Sequence, residues 1–366
     1  KNLMQQQLLN DYSALVFGKG DLLTASLIKD LEFASQQQTE QAQSQILASQ
    51  TPNTFFTDEQ TQINPNLGVF EQVKDVQHKK NTKVSFVRLS QNGRWLISGG
   101  TDFCTKTQDL QKCRMEQAEQ QKTAKPKSFW GHTDLITDGQ ISPSHSLLVT
   151  CSRDTDLRFY NLQQEDALLY SDSMGTPCNS LDFLSSSQLV VGTDQGVLVY
   201  DLQQHLESVV RLSQMQTFKV RCKQGLVGAL SAQTFTLHDP RQYQHAQQVP
   251  GQFRDFCLFK NYLALCGQST LLFDVRNLGQ PIPNLLQNAQ FDACQTMFYE
   301  QYLVFMNHQQ QQQMIGLDTN DFRQVQMMAP KRAGFAQWNM FAGSAVEKLV
   351  ALSYDYTACA YEFKAQ

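Results

Sequence analysis

Four aspartates recur at one place in a repeated pattern, and carboxylates in such a set could carry out acid–base chemistry. Asp102, Asp154, Asp194 and Asp355 stand, in that order, six residues before Gln108, Tyr160, Tyr200 and Tyr361. General acid–base catalysis needs carboxylates that converge on one substrate. An aspartate between two short strands can instead accept hydrogen bonds from the N–H groups of a tight turn. Because the interval is constant, we expect these aspartates to stabilise turns.

The histidines and cysteines do not show the spacing of a metal or catalytic site. Of the seven histidines, His78, His132 and His238 stand at repeat boundaries, where a structural role is expected, and the others lie in polar stretches. No Cys-x-x-Cys or His-x-x-x-His pattern occurs, and most of the nine cysteines lie in apolar runs. This favours buried, reduced thiols in an intracellular protein. We therefore predict no metal, no cofactor and no enzymatic activity, although an enzyme built on the same fold stays a third alternative.

The aspartates belong to units that repeat along most of the chain. Residues 131–162, "GHTDLITDGQISPSHSLLVTCSRDTDLRFYNL", contain two short apolar runs on either side of Asp154. Equivalent unit ends fall at positions 108, 160, 200, 238, 273, 317 and 361. Most of their intervals suit a propeller blade of four strands. The sequence thus predicts an all-β fold, a seven-bladed β-propeller over residues 67–366.

These units resemble WD repeats, in which a His, a strand Ser or Thr, a turn Asp and a strand aromatic residue form a buried polar network. His132, Ser152, Asp154 and Tyr160 fit that pattern, with Tyr160 in place of the usual Trp and Asn161 in place of the usual Asp. By the same resemblance, the aspartates at 102, 194 and 355 are the corresponding turn residues.

Two further segments belong to the predicted ring. Residues 111–128 are polar, charged and aperiodic, and they lengthen the first interval. They predict an inserted surface loop with no role in the core. Residues 67–75 precede the first full repeat, and we expect them to supply a strand to the last blade, because closure removes exposed sheet edges.

The N-terminal part of the chain has a different pattern. Residues 1–35 place leucines at helical spacing on both sides of a Gly-Lys-Gly break, which predicts a short helical hairpin. Residues 36–66 have the composition of a linker. A hairpin this small cannot bury both apolar faces by itself. We expect self-association through Leu8, Leu15, Leu27 and Leu31, and docking of the hairpin on the ring is the alternative.

A helical pair, a linker and WD repeats with a long first interval together resemble the WD-repeat subunits of the cleavage stimulation factor, which acts in messenger RNA 3′-end processing. The resemblance is strongest over about the first 200 residues. It implies a nuclear, non-catalytic scaffold that binds other subunits through its propeller and forms a homodimer. A WD-repeat adaptor of another assembly, such as ubiquitin ligation or ribosome biogenesis, is the second reading.

Charge and hydropathy limit the remaining classes of function. The net charge of −4 predicts no broad basic face for nucleic acid. Local basic clusters at 78–83, 122–127 and 331–334 are interpreted as solvated loops, with contact to RNA or to an acidic subunit as the alternative. We therefore expect any RNA contact to be indirect. No apolar run approaches the length of a membrane span, so no membrane partner is expected.

Overall fold

Four-stranded antiparallel sheets form the described part of this computed structural model. The described residues are 69–90, 92–118, 125–164, 168–203, 205–241, 246–267, 270–282, 293–299, 302–307, 313–318, 324–328, 340–344, 349–354 and 356–364. The predicted helical hairpin at 1–35, with Leu8, Leu15, Leu27 and Leu31, and the linker at 36–66 lie outside them.

The first three sheets follow the chain in simple order, each strand pairing with the next. Sheet 1 contains β2 (Val84–Leu89), β3 (Trp95–Gly100), β4 (Thr105–Asp109) and β5 (Lys127–Phe129). Sheet 2 contains β6 (Ile136–Ile141), β7 (Leu147–Ser152), β8 (Asp156–Asn161) and β9 (Leu168–Ser173). Sheet 3 contains β10 (Cys178–Phe183), β11 (Gln188–Thr193), β12 (Gly196–Asp201) and β13 (His205–Ser213).

Three more sheets repeat the same order. Sheet 4 contains β14 (Lys219–Lys223), β15 (Leu226–Leu230), β16 (Thr234–His238) and β17 (Ala246–Pro250). Sheet 5 contains β18 (Phe253–Phe259), β19 (Tyr262–Gly267), β20 (Thr270–Asp274) and β21 (Asn277–Ile282). Sheet 6 contains β22 (Ala293–Tyr299), β23 (Tyr302–Asn307), β24 (Gln313–Asp318) and β25 (Gln324–Met328).

The last sheet combines the two ends of the described chain. Sheet 7 contains β26 (Met340–Ser344), β27 (Leu349–Tyr354) and β28 (Thr357–Lys364), and β1 (Val69–Gln77) pairs with β28 as its fourth strand. Val76 lies opposite Ala358 in this ladder, and both are buried. The prediction that a strand from residues 67–75 completes the last sheet is confirmed, with β1 displaced by two residues.

The unit ends identified in the sequence all fall in the third strands of their sheets. Positions 108, 160, 200, 238, 273, 317 and 361 lie in β4, β8, β12, β16, β20, β24 and β28. In β7 and β8, consecutive apolar residues such as Leu148, Val149 and Phe159 are fully buried. Strands covered on both faces have such continuous apolar patterns, because neighbouring sheets pack against each side.

The segment predicted to be a loop without a core role is in part a helix. Helix α1 (Leu110–Ala118) begins directly after β4, and Leu110 and Cys113 in it are fully buried. Leu110 belongs to the apolar cluster that joins sheet 1 to β1 and β28 of sheet 7. The prediction for residues 111–128 was wrong for two parts of the segment: residues 111–118 are helical, with Cys113 buried, and residues 127–128 belong to β5. The helix docks through Leu110 and Cys113 in its first turn, and most of its other positions are polar. No helix in the described ranges is long and apolar enough to cross a membrane.

The first strands of the sheets contact one another in a cyclic order. Each of β2, β6, β10, β14, β18 and β22 contacts the first strand of the next sheet, and β26 contacts β2. Polar side chains bridge the first of these steps. Ser85 donates to the carbonyl of Ile136, and Thr137 donates to the carbonyl of Cys178 over 2.8 Å. These bonds satisfy the carbonyls at the start of β6 and of β10. We call the first strand of each sheet its inner strand.

Strand direction places two kinds of connection at one end of the sheets. Because consecutive strands are antiparallel, the turn between the second and third strands lies at the same end as the connection to the next sheet. In sheet 2, for example, Asp154 in the turn contacts His132 in the connection from β5 to β6. We call this end of the sheets the aspartate end.

Candidate functional site

A buried histidine–aspartate pair lies at the aspartate end of sheet 1. His78 Nδ1 is 2.9 Å from Asp102 Oδ2, and His78 Nε2 is 2.9 Å from Ser98 Oγ. The Lys79 N–H donates to the same carboxylate oxygen. Burial opposes ionisation of Asp102, but these hydrogen bonds outweigh it and lower the pKa of the carboxyl group. The side chain of Asp102 is therefore an ionised carboxylate that accepts hydrogen bonds in this turn.

The equivalent pair in sheet 2 contains His132 and Asp154. Their Nδ1 and Oδ2 atoms are 2.9 Å apart, and the Thr133 N–H donates to the same oxygen over 2.9 Å. Burial lowers the pKa of His132 more than the neighbouring carboxylate raises it, so the ring is neutral near pH 7. The pKa of Asp154 is lowered despite its burial, mainly by the Thr133 N–H and by His132.

The strand residue against His132 is Thr150 and not Ser152, which corrects the sequence-based assignment. Thr150 Oγ1 lies 2.8 Å from His132 Nε2. Ser152 Oγ donates to the carbonyl of Asp134 and accepts the Asp154 N–H at 3.1 Å. Side chains alternate along β7, so Thr150 and Ser152 lie on the same face of the strand. Both are buried, but Thr150 is the one next to the His132 ring. In sheet 1 the equivalent partner of His78 is Ser98, four residues before Asp102.

Tyr160 lies near the same turn but bonds elsewhere. Its hydroxyl donates to the carbonyl of Trp130 over 2.8 Å, and its ring packs on Phe129 at 5.3 Å between centroids. It thereby fixes the connection that leads to His132. The Tyr160 side chain therefore supports the network by holding the backbone next to His132.

Of the other two predicted turn aspartates, Asp194 and Asp355, the first does not form a histidine–aspartate pair in the described residues. Asp194 in sheet 3 is exposed and accepts hydrogen bonds from the amides of Asn179 (2.8 Å) and Gln216 (2.9 Å). No histidine is involved at this turn. Asp355 lies outside the described residues, so its role as a turn residue stays a prediction.

A second polar network, which the sequence reasoning missed, connects the first strands of several sheets. Asp138 on β6 accepts hydrogen bonds from Arg88 Nε (3.0 Å) and Arg88 Nη2 (2.6 Å), and from Ser180 Oγ (2.8 Å). Arg221 on β14 approaches the same carboxylate at 3.6 Å. Burial alone would raise the pKa of Asp138, but the two guanidinium groups hold it at about 2.

The network continues along the inner strands to sheet 6. Asp182 on β10 accepts the Cys222 N–H over 2.8 Å. Asp255 on β18 forms an ion pair with Lys219 and accepts the Thr296 N–H over 3.1 Å. No local sequence pattern reveals these bonds, since each partner comes from a different repeat. The signal that could have found them is a charged residue within an otherwise apolar inner strand.

These buried groups are engaged in structural contacts. Asp138, Asp182 and Asp255 each hold a backbone N–H or a cationic side chain of a neighbouring sheet. Among the described residues, no group of three or more His, Cys, Asp or Glu side chains has the arrangement to hold a metal ion. The described contacts therefore account for these carboxylates by the cohesion of the sheets.

The aspartate end carries large apolar side chains that are open to solvent. Phe103 (40% exposed) lies in the turn of sheet 1, and Trp130 (51%) lies in the connection to sheet 2. Met215 (41%) and Phe218 (46%) lie in the connection from sheet 3 to sheet 4. Exposed aromatic groups of this kind are enriched where proteins bind other proteins. This end of the sheets is the candidate interaction surface.

Comparison with known proteins agrees with this architecture. Residues 70–106 and 124–161 match the WD domain, G-beta repeat family. They contain both histidine–aspartate pairs. No curated protein sequence matches the chain significantly.

Among solved structures, the β-propeller domain of Cps50 (Swd1) from Myceliophteria thermophila is similar, with a TM-score of 0.63. The two sequences are 13% identical, and the match covers 81% of this chain and 100% of that domain. At this identity the likeness concerns the fold alone. Together, the two matched repeats and the shared fold support the WD-repeat β-propeller family for this chain.

Proposed function

We propose that this protein is a non-catalytic scaffold subunit of a pre-mRNA cleavage and polyadenylation complex, located in the nucleus. Its sheets would form a seven-bladed ring that binds other protein subunits through the aspartate end. The cyclic contacts of the first strands and the pairing of β1 with β28 support the ring. WD-repeat propellers generally serve as interaction scaffolds, which agrees with this role.

One observation carries the proposal of a binding role: apolar side chains are exposed where polar ones would suffice. Phe103, Trp130, Met215 and Phe218 are all at least 40% exposed, and all lie in turns or connections at one end of the sheets. Loops on a rigid scaffold are free to vary without loss of the core. The buried carboxylates, by contrast, hold the sheets together.

The choice of complex rests on the arrangement of the sequence. A predicted helical pair, a linker and a lengthened first interval resemble the cleavage stimulation factor subunits. In this proposal RNA is contacted indirectly, through partner subunits.

Purification of the tagged full-length protein from its source cells, with quantitative mass spectrometry, tests this choice. We expect cleavage and polyadenylation subunits to co-purify stoichiometrically, and the Trp130→Ala/Phe218→Ala variant to recover less of them. The Leu168→Asn variant, changed at an exposed position of β9 away from the aspartate end, is the matched control. Recovery of ubiquitin ligase or ribosome assembly factors in their place would support the adaptor alternative.

Self-association through the N-terminal helices is the second part of the proposal. Four leucines at helical spacing would each contribute roughly 1.5 to 3 kcal/mol if fully covered in a symmetric pair. Light scattering should give about twice the monomer mass of 41.6 kDa for the chain of 366 residues. The Leu8→Asp/Leu27→Asp variant should give the monomer mass. A full-length protein that stays monomeric at micromolar concentration would contradict this part.

A further inference from the structure

A compact group of basic and aromatic side chains lies at the aspartate end of sheets 1 and 2. We define the basic aromatic patch by its six residues, which come from two connections and two turns. They are Lys79, Lys80, Lys83, Phe103, Trp130 and Arg153, and each is exposed.

Backbone contacts place the lysines, Phe103 and Trp130 at one end of sheet 1, and Arg153 lies in the turn of sheet 2, where its N–H donates to the carbonyl of Leu135. The Lys83 N–H donates to Thr101 Oγ1 over 2.8 Å, and the Thr101 N–H donates to the carbonyl of Lys83 over 3.0 Å. The lysine connection is therefore tied to the turn that contains Phe103. Trp130 follows directly after Phe129, which pairs with Thr105 at the same end of the β4–β5 ladder. Phe103 and Trp130 thus extend from one end of a single hairpin.

The backbone conformation of Phe103 is costly for the fold. Its φ is +58°, in the left-handed region that bulky residues avoid. Thr155, the residue after the turn aspartate of sheet 2, has a φ of +76°. This turn therefore requires a left-handed residue in both sheets, and Gly or Asn would satisfy it with less strain. An exposed phenylalanine at this position serves neither the turn nor the core, which indicates a role in binding.

The charge of the patch defines the chemistry of its partner. The patch contains three lysines and one arginine, and two exposed carboxylates lie near it: Asp134, and Asp194, whose charge interacts with Arg153. The carboxylates of Asp102 and Asp154 have side chains only 2% and 6% exposed and face their histidines. The patch is therefore locally cationic on a chain whose net charge is −4.

We infer that the basic aromatic patch binds an acidic peptide segment of a partner protein, whose apolar side chain packs against Phe103 and Trp130. Acidic side chains on either side of that anchor would pair with the lysines and Arg153. An acidic peptide is favoured over RNA, because nucleic-acid binding depends on many phosphate contacts and the patch supplies only four cationic side chains, beside an apolar anchor. The inference rests on the proposed scaffold function, but not on the choice of complex.

Selection from short random peptides displayed on phage, against the immobilised full-length protein, tests the inference. We expect enrichment of sequences in which Asp or Glu flanks a large apolar residue. A synthetic peptide of the most enriched sequence should bind in solution, as measured by fluorescence anisotropy. The Phe103→Asn variant should weaken this binding about tenfold or more, as expected for a central anchor. Its melting temperature should stay the same or rise, because Asn suits the left-handed turn.

Further variants distinguish the contribution of the lysine charges to peptide binding from that of the apolar anchor. Lys79→Glu/Lys80→Glu should weaken binding and reduce its dependence on salt. Leu168→Asn, an exposed change on β9, should leave binding unchanged. Absence of acidic enrichment, or unchanged binding by Phe103→Asn, would overturn the inference. Tighter binding of a random single-stranded RNA pool than of the selected peptide would overturn it too. Any of these results leaves the co-purification test of the complex unaffected.

Discussion

Sheets 1 and 2 differ from sheet 3 in how they hold the turn between their second and third strands. His78 and His132 lock the turn aspartates of the first two sheets in buried pairs. In sheet 3, Asp194 is exposed and is held by side-chain amides. All three sheets nevertheless have the same four strands in the same order. The histidine–aspartate pair is therefore one way to stabilise this turn, and the sheet forms without it.

The inner-strand network crosses the boundary between these two groups of sheets. Asp138 belongs to sheet 2, Asp182 to sheet 3 and Asp255 to sheet 5, and each reaches the following sheets. Buried carboxylates with partners from several sheets restrain the first strands relative to one another. This network, rather than the turn motif, is the polar feature shared by the two groups.

Loss of Asp138 should have the largest effect on stability. Asp138→Ala leaves the buried Arg88 and the partly buried Arg221 without their carboxylate partner. Removing one partner of a buried ion pair costs about 3 to 5 kcal/mol. Urea denaturation of the variant and of the unchanged protein measures this loss. Asp156→Ala is the matched control, because Asp156 has a single long contact with Arg158 at 3.5 Å. Equal losses for the two variants would contradict a structural role for the network.

Asp154→Ala should have the next largest effect. The substitution leaves the His132 ring and the Thr133 N–H without their acceptor, at a cost of about 1 to 3 kcal/mol. Asp102→Ala in sheet 1 should cost a similar amount for the same reason. Thermal melting and urea denaturation check both values. An unchanged melting temperature would show that these pairs do not stabilise their sheets.

Asp194→Ala should cost less than about 1 kcal/mol, because its amide partners can bond to water when the carboxylate is removed. The same denaturation measurement applies. This variant sharpens the comparison: a loss as large as that of Asp154→Ala would mean that the exposed turn is as important as the buried ones. A combined Asp154→Ala/Asp194→Ala variant should show the sum of the two losses, since their sites lie in different turns.

The smallest expected effect is a dependence of stability on pH. The pKa of His132 is lowered in the folded protein, so the unfolded chain binds a proton more readily. The stability contributed by the neutral His132 is therefore fully present above the unfolded pKa of about 6.5 and is lost as the pH falls below it. Urea midpoints measured from about pH 7.5 to about pH 5 should decline. His132→Gln should reduce this slope, and an identical slope would assign the effect to another group.

Much of the sheet architecture follows from local sequence, because a hairpin is coded by neighbouring residues. The aspartate at a fixed interval before Tyr160 and Tyr200 marks the turn into β8 and β12, and both strands are present. The exchange of Ser152 for Thr150 was harder to foresee, since both are small hydroxyl residues buried on β7. Only the position of the His132 ring decides between them.

Other features depend on contacts between distant parts of the chain. Arg88 and Asp138 are 50 residues apart in sequence, and their pairing becomes visible only when β2 and β6 are placed side by side. Helix α1 has a polar composition, and the burial of Leu110 and Cys113 depends on a surface supplied partly by β1. Periodicity within a segment carries no information on such partners.

The pairing of β1 with β28 has a consequence for synthesis on the ribosome. β1 emerges first among the described strands, whereas its partner residues follow about 280 positions later. The entropic cost of joining such distant segments grows only slowly with their separation. The large separation therefore delays the pairing of β1 with β28 during synthesis but has little effect on the stability of the folded protein. Until then, β1 would be an exposed sheet edge that can pair with another nascent chain. Translation that stops before β28 would leave every other sheet encoded and the ring open.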